Sequence, residues 1–218
     1  MSNHSPTSSL WEDDRYENVL YSGCSGFGMG LIHRHLERSF KRTDYFKLCV
    51  EVGAGAGQHQ PYVRHQYDQY INFDLRRPID YPDGKSFIQA DTESMPFKEN
   101  SIDRLISTCV LHHLANPEVA MEEWRRVTKP GGRVSFILAT DPGFLHRLAR
   151  RVSTARIQND HYDHNLEMAR EHRNHAWALE KQIGHVFKHD RVRVSGLPLP
   201  WFTWNFNISL VINIVKQP

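Results

Sequence analysis

Cysteine is scarce in this chain, and long apolar runs are missing altogether. Three cysteines, at positions 24, 49 and 109, stand among 218 residues, so any disulfide would leave one thiol over. Cys49 and Cys109 lie within apolar runs that read as buried strands, which predicts reduced thiols and a cytoplasmic compartment. No apolar run reaches the ~20 residues that a membrane-spanning helix requires. The best candidate, FNISLVINIV, alternates Phe206, Ile208, Leu210, Ile212 and Ile214 with Asn207, Ser209 and Asn213. A period of two describes a strand with unlike faces. The opening residues, MSNHSPTSSL, lack the apolar stretch of a secretory leader. An excess of one charge is missing too. Lys+Arg 27 against Asp+Glu 25 leaves a net charge of +2, so no global field draws the chain to nucleic acid. Beyond a polar N-terminal tail there is no repeat and no low-complexity tract.

What is present is a beat of strands and helices. The length suits one α/β domain, with residues 1–45 as a tail and cap helix and 46–218 as the main domain. Tyr21–Gly30 is glycine-rich and reads as a loop, and Leu31–Phe40 as a helix. Phe46–Val52 reads as the first strand, Gln58–Tyr67 as a short helix and Tyr70–Phe73 as the second strand. Ser86–Ala90 and Arg104–Val110 follow as the third and fourth. The clearest helix starts with Asn116 as cap and Pro117 in its first position; Ala120, Trp124 and Val127 line one face. Lys129-Pro130-Gly131-Gly132 stops it. Arg133–Leu138 is the fifth strand, Ala176–Phe187 another helix, and Val192–Ser195 with Phe206–Val215 a closing antiparallel hairpin. Strands that alternate with helices predict a doubly wound, mostly parallel sheet.

In such sheets ligands bind beyond the carboxyl ends of the strands. Beyond the first strand lies CVEVGAGAGQH, with Gly53, Gly55 and Gly57 at every second position. Glycine there permits a tight turn and close backbone approach to a ligand. The dinucleotide pattern G-x-G-x-x-G is not met, since Gln58 stands where its last glycine would be. Asp74 ends the second strand, where a carboxylate suits the two hydroxyls of a ribose. Asp91 ends the third, where a carboxylate can accept from the exocyclic amine of adenine. A nicotinamide-dependent oxidoreductase and a non-catalytic binding subunit remain open alternatives at this point.

The run EVGAGAG, then FD at 73–74, then QADTESMPF, then SIDRLISTCVLHHLANPEVAMEEWRRVTKPGGRVSFIL resembles the class I S-adenosylmethionine-dependent methyltransferases, in the order usual for the family, over residues 46–138. The nearest pattern is the subgroup that methylates small molecules. The resemblance implies a seven-stranded Rossmann-like sheet and S-adenosyl-L-methionine as cofactor. It implies that Glu51, Gly53, Ala54, Gly55 and Gly57 surround the methionine part, that Asp74 and Leu75 meet the ribose, and that Asp91 and Thr92 frame the adenine. Thr108 and Cys109 would meet the methionine amino group. An Asp-Pro-Pro-Tyr-like tetrad after the fourth strand, the mark of enzymes acting on nucleic-acid bases, is replaced by Thr-Cys-Val-Leu-His-His. The expected acceptor is therefore a small molecule or a sugar.

A hydroxyl acceptor benefits from a base near the end of the fourth strand. His112 and His113 stand there, and neutral imidazole suits the task. The family pattern turns the first of the pair toward the substrate, which favours His112. A second cluster, HYDHNLEMAREHRNH from His161 to His175, lies in an expected lid at about 141–175. His172 and His175 are its best acceptor-side candidates. Its spacing matches no metal motif, and no metal is expected. LHRLARRVSTARI, with Arg147, Arg150, Arg151 and Arg156 beside Leu145, Leu148 and Val152, reads as a charged face over a core stripe, or as a basic amphipathic helix for an acidic membrane or a phosphate-bearing substrate. Trp201, Phe202 and Trp204 either stack on an acceptor or close the end of the core.

Overall fold

Residues 23–154 and 164–218 are described in the computed structural model. The apolar runs form β1 (Tyr45–Val52), β2 (Gln66–Asp74), β3 (Ser86–Gln89), β4 (Ile102–Thr108), β5 (Thr128–Ala139), β6 (Arg191–Leu197) and β7 (Ser209–Val215). They make one seven-stranded sheet in the order β3-β2-β1-β4-β5-β7-β6. β1 to β5 pair in parallel, whereas β7 runs antiparallel between β5 and β6. The doubly wound sheet with a closing hairpin is as the sequence predicts. Because β7 lies inside the sheet, its polar positions need partners. Asn213 sits opposite Ser135, whose hydroxyl donates to Asn213 Oδ1 at 2.8 Å.

Each strand alternates its side chains between two covered faces. On one face α1 (Gly23–Glu37) packs Leu36 against Cys49, Tyr70, Ile106, Ile137 and Val211. On the other, α2 (Pro117–Val127) and α5 (Ala176–Val186) bury Met121, Trp124, Leu179 and Ile183 against Val52, Phe73, Phe136 and Ile212. α3 (Phe144–Thr154) and α4 (His164–Glu171) lie between β5 and α5, in the segment expected as a lid. Among the described residues no helix is long and apolar enough to cross a membrane. Cys49 and Cys109 are free thiols.

Two local expectations fail, each because tertiary contacts outweigh local propensity. The glycine-rich stretch is helical from Gly23 onward. Its Gly30 lets α1 approach the following loop: a Cβ there would lie 3.2 Å from the Tyr62 hydroxyl. The helix expected over Gln58–Tyr67 is only a 3₁₀ turn, Gln60–Tyr62, and β2 begins at Gln66. Pairing of Tyr45 with Gln66 and of Phe46 with Tyr67 extends the sheet into residues that would otherwise continue the helix. The clear helix starts at Pro117 as expected, yet Asn116 makes no side-chain cap. Its amide donates instead to Glu93 Oε2 at 3.1 Å.

Beneath the α1 face lies a buried polar network that sequence reading missed. Arg104, fully buried on β4, donates through both terminal nitrogens to Glu37 at the end of α1. Its guanidinium lies 3.7 Å from the centre of the Phe40 ring. Glu37 also accepts from the Arg64 N–H at 3.2 Å and pairs with His59 Nε2 at 2.9 Å. His59 Nδ1 meets His33 Nδ1 at 2.9 Å, so one of these nitrogens carries the shared proton. Burial and the neighbouring His59 push the His33 pKa down to about 3.

Candidate active site

The glycine loop leaves β1 with Gly53, Gly55 and Gly57 all at positive φ, a region where side chains are strained. A Cβ on Gly53 would come within 2.1 Å of Val110 Cγ2. The N–H groups of Gly53 and Ala54 donate to the Phe73 carbonyl at 2.8 and 3.2 Å, which ties the loop to the end of β2. Asp74 completes that tie. Its Oδ2 accepts from the Gly55 N–H at 2.9 Å and its Oδ1 from the Arg76 N–H at 3.2 Å. A carboxylate has about four acceptor positions, so two remain for hydroxyls. Leu75, the next residue, is exposed.

Glu51 stands behind the loop. It is fully buried and accepts from the Tyr70 hydroxyl at 2.6 Å and the His59 N–H at 3.3 Å. Burial raises its pKa, against the opposing pull of these donors. Glu51 braces the loop from inside. Asp91 is exposed beyond β3, with Oδ1 accepting from the Glu93 N–H at 2.9 Å and a second oxygen open to a ligand. The Thr92 hydroxyl accepts from Trp124 Nε1 at 2.7 Å, which fixes it against α2. Thr108 ends β4, and Cys109 follows at φ 60, a strained conformation for a residue with a side chain. Burial drives the Cys109 thiol up to about 12, so it stays protonated. Sequence reading missed Asn72, Tyr81 and Lys85, which back the loop. Asn72 Nδ2 donates to the Tyr81 hydroxyl at 2.6 Å, and a Cβ on Gly57 would lie 3.2 Å from the Asn72 amide.

The histidines sort themselves at the other side of β4. The rings of His112, His113 and His172 stand mutually 5.0 to 5.5 Å apart. His112 is 1% exposed, and its Nε2 accepts from the Ala139 N–H at 3.2 Å. That bond uses the lone pair a base would need, and burial with three imidazole neighbours holds its pKa well down. His113 Nδ1 meets the Glu171 carbonyl at 3.1 Å and therefore carries the proton; burial lowers its pKa to about 3. His172 differs from His113 in its partner, a carboxylate in place of a carbonyl. Its Nδ1 lies 3.1 Å from Asp141 Oδ2, so Nδ1 donates and Nε2 bears the lone pair. Arg150 holds the same Asp141 oxygen at 3.1 Å and donates to His146 Nε2 at 2.9 Å. His172 and Arg150 keep the Asp141 carboxyl well below the usual carboxylate range despite its burial. His175 is exposed just before α5, outside this ring cluster. Asn174, not foreseen, fastens the loop after β4 through the carbonyls of Leu111 and Leu114 at 3.0 and 2.7 Å. His161 lies outside the described residues. No group of three or more potential metal ligands is assembled among the described residues.

Residues 50–136 match the sequence model of a methyltransferase domain family. The chain is 29% identical over 121 residues to the biotin biosynthesis bifunctional protein BioHC of Cellvibrio japonicus, covering 53% of this chain and 23% of that protein. It is 33% identical over 106 residues to a demethylmenaquinone methyltransferase of Renibacterium salmoninarum, covering 44% of this chain and 42% of that one. The structure of the plantazolicin methyltransferase BpumL, in complex with SAH, superposes with a TM-score of 0.69 at 12% identity, over 97% of this chain and 92% of that one. Over residues 50–136 the chain is similar to the class I S-adenosylmethionine-dependent methyltransferases. It spans less than half the length of these two curated relatives.

S-adenosylmethionine is the cofactor of this methyltransferase family. The residues in place fit it. The loop offers bare backbone, Asp74 keeps two acceptor positions for ribose hydroxyls, and Asp91 keeps one oxygen for an exocyclic amine. The methyltransferase-domain match speaks against the nicotinamide alternative.

Buried histidines are expected to make the fold acid-sensitive. His33 and His113 at about 3, His146 at about 4, and His112 well below its ordinary value all resist protonation in the fold. In the unfolded chain they take up protons near pH 6.5. The unfolded state therefore binds more protons as pH falls, and stability present above pH 6.5 is lost toward pH 4. Each such group contributes up to about 1.4 kcal/mol per pH unit. Denaturant melts at pH 7.5, 6, 5 and 4 should show the loss beginning below pH 6.5. A flat profile down to pH 4.5 would mean that these rings are not buried neutral.

Proposed function

We propose that this methyltransferase-family chain transfers the methyl group of S-adenosylmethionine to a hydroxyl of a small-molecule or sugar acceptor, with His172 as the base and Asp141 positioning it. The observation that carries this reading is the Asp141–His172 pair at 3.1 Å, beside the ring cluster at the end of β4. Glu51 and Asn72 brace the loop from behind. Gly53, Ala54, Gly55 and Gly57 present it to the cofactor, Asp74 and Leu75 hold the ribose, and Asp91 with Thr92 frames the adenine. The main chain at Thr108 and Cys109 meets the amino group. When bound, the cofactor supplies an electrophilic methyl on a sulfonium. The acceptor oxygen would take the methyl in line as its bond to sulfur breaks, with S-adenosylhomocysteine as the leaving group; alignment and exclusion of water by the chain would supply much of the acceleration. His172 Nε2 takes the hydroxyl proton as the new bond forms, and Asp141 stabilises the resulting imidazolium through Nδ1–H. The segment 141–175 acts as the acceptor lid on the main domain, residues 46–218.

A quinone-type acceptor is a second reading, favoured by the demethylmenaquinone methyltransferase among the relatives. Turnover assays with hydroxylated sugars and phenols beside quinols separate the two. The cofactor assignment has its own measurement. Asp74→Ala should weaken S-adenosylhomocysteine by about 1–3 kcal/mol, since a charged acceptor is lost. Unchanged affinity in titration calorimetry would overturn the ribose role, and NAD binding with no S-adenosylhomocysteine binding would overturn the whole reading.

A further inference from the structure

α3 carries two stripes with different surroundings. His146 and Arg150, four residues apart, face inward to the Ile208 carbonyl and to Asp141. Phe144, Arg147, Leu148 and Arg151 follow the spacing i, i+3, i+4, i+7 and share the opposite side. They line one concavity together with Pro142 and Asn205. Of the core stripe expected from Leu145, Leu148 and Val152, Leu148 departs by being exposed, Leu145 is partly buried, and the Val152 side chain lies outside the described residues. Phe144 is 63% exposed and Leu148 47% exposed, so apolar side chains face solvent between two arginines.

The neighbouring loop extends the same surface. The Phe144 N–H donates to Asn205 Oδ1 at 2.9 Å, and a Cβ on Gly143 would lie 3.1 Å from the Trp204 carbonyl, so helix and loop abut. Trp204 turns into the core as a partly buried neighbour, which answers one half of the choice left open for this loop. Trp201 is 92% exposed, and Phe202 and Phe206 are exposed with their rings in edge contact at 6.1 Å. Single exposed apolar residues are ordinary. Five on adjoining segments of helix and loop, with Arg147 and Arg151 among them, are a patch that needs a covering surface.

We propose that this patch docks on an anionic lipid bilayer, with Trp201, Phe202, Phe144 and Leu148 entering the headgroup boundary and Arg147 and Arg151 meeting lipid phosphates. The charge and the chemistry agree with one occupant. Aromatic rings favour the bilayer interface, and arginine lays its aliphatic stem on apolar surface while its guanidinium meets an anionic headgroup. The inward stripe meanwhile keeps the Asp141–His172 pair behind the docked helix. The proposal stands without the proposed acceptor chemistry, because it rests on the outer stripe and the adjoining aromatic loop.

Co-sedimentation of the full chain with vesicles tests it. Binding is expected to phosphatidylcholine vesicles containing phosphatidylglycerol and to be weak with phosphatidylcholine alone. High salt should weaken it. The Arg147→Glu/Arg151→Glu variant should lose at least about tenfold of this partition, since each basic residue near an anionic surface contributes measurably. Trp201→Ser should lose part of it. Both variants should keep the wild-type circular dichroism spectrum and S-adenosylhomocysteine affinity, which separates lost docking from lost folding or a wrong cofactor reading. Equal binding to both vesicle types, or charge-reversed protein that still partitions, overturns the proposal. So does saturable binding of free glycerol 3-phosphate, abolished in the charge-reversed variant, with no vesicle binding.

Discussion

His172→Gln is expected to retain S-adenosylhomocysteine affinity within about twofold while turnover of a hydroxyl acceptor falls about 10²–10⁴-fold, the usual worth of a positioned general base. The glutamine keeps most of the volume at a half-buried position and removes the lone pair at Nε2. Asp141→Asn should lower kcat more than KM. Asparagine can offer its amide N–H to Nδ1, which would place the proton on Nε2 and remove the base. Asp141→Glu should recover part of the rate. His112→Gln discriminates the rival histidine. Because His112 Nε2 accepts from Ala139 in the core, that variant should lose thermal stability while the folded fraction keeps its rate constant. Single-turnover rates and calorimetry check each expectation. Unimpaired turnover in His172→Gln would remove the dyad from the mechanism, and a selective kcat loss in His112→Gln would put that residue in its place.

The largest loss of stability is expected from Arg104→Leu. The substitution leaves the Glu37 carboxylate, itself fully buried, with only His59 and the Arg64 N–H as donors. Breaking a buried ion pair from one side costs about 3–5 kcal/mol, because the stranded charge cannot return to water. The lost contact with the Phe40 face adds to it. Glu37→Gln/Arg104→Leu should be much less destabilised than the sum of its single variants, since no charge is stranded. Urea melts of the four proteins measure the coupling. A cost under about 1 kcal/mol for Arg104→Leu would show that water reaches Glu37 and that the pair is not sealed.

The legible part of this protein was periodic or positional. Apolar runs marked every strand, and Pro117 marked the start of α2. The closing hairpin was readable from its alternation even though β7 lies within the sheet. Glycines at 53, 55 and 57 gave the loop, for only a backbone forced into positive φ needs that residue at every second position. Illegible in advance were contacts between residues far apart in the chain. The arginine within IDRLIST, a charge at an inward strand position that needs a partner, was passed over in the sequence. Nothing local pointed to Glu37, 67 residues earlier.

The histidines show the division most clearly. Composition and spacing placed them at the end of β4 and after β5, which is as much as a linear pattern can do. What each imidazole can do is a matter of who meets each ring nitrogen. Ala139 occupies His112, the Glu171 carbonyl fixes His113, and Asp141 turns His172 outward in role. Sequence by itself determined the sheet and the loop, since these follow from short-range periodicity and backbone conformation, and its motifs carried the methyltransferase resemblance. Only the tertiary structure decided which partner meets each imidazole nitrogen and which helix face stays uncovered, because hydrogen-bond partnership and burial depend on segments that folding brings together.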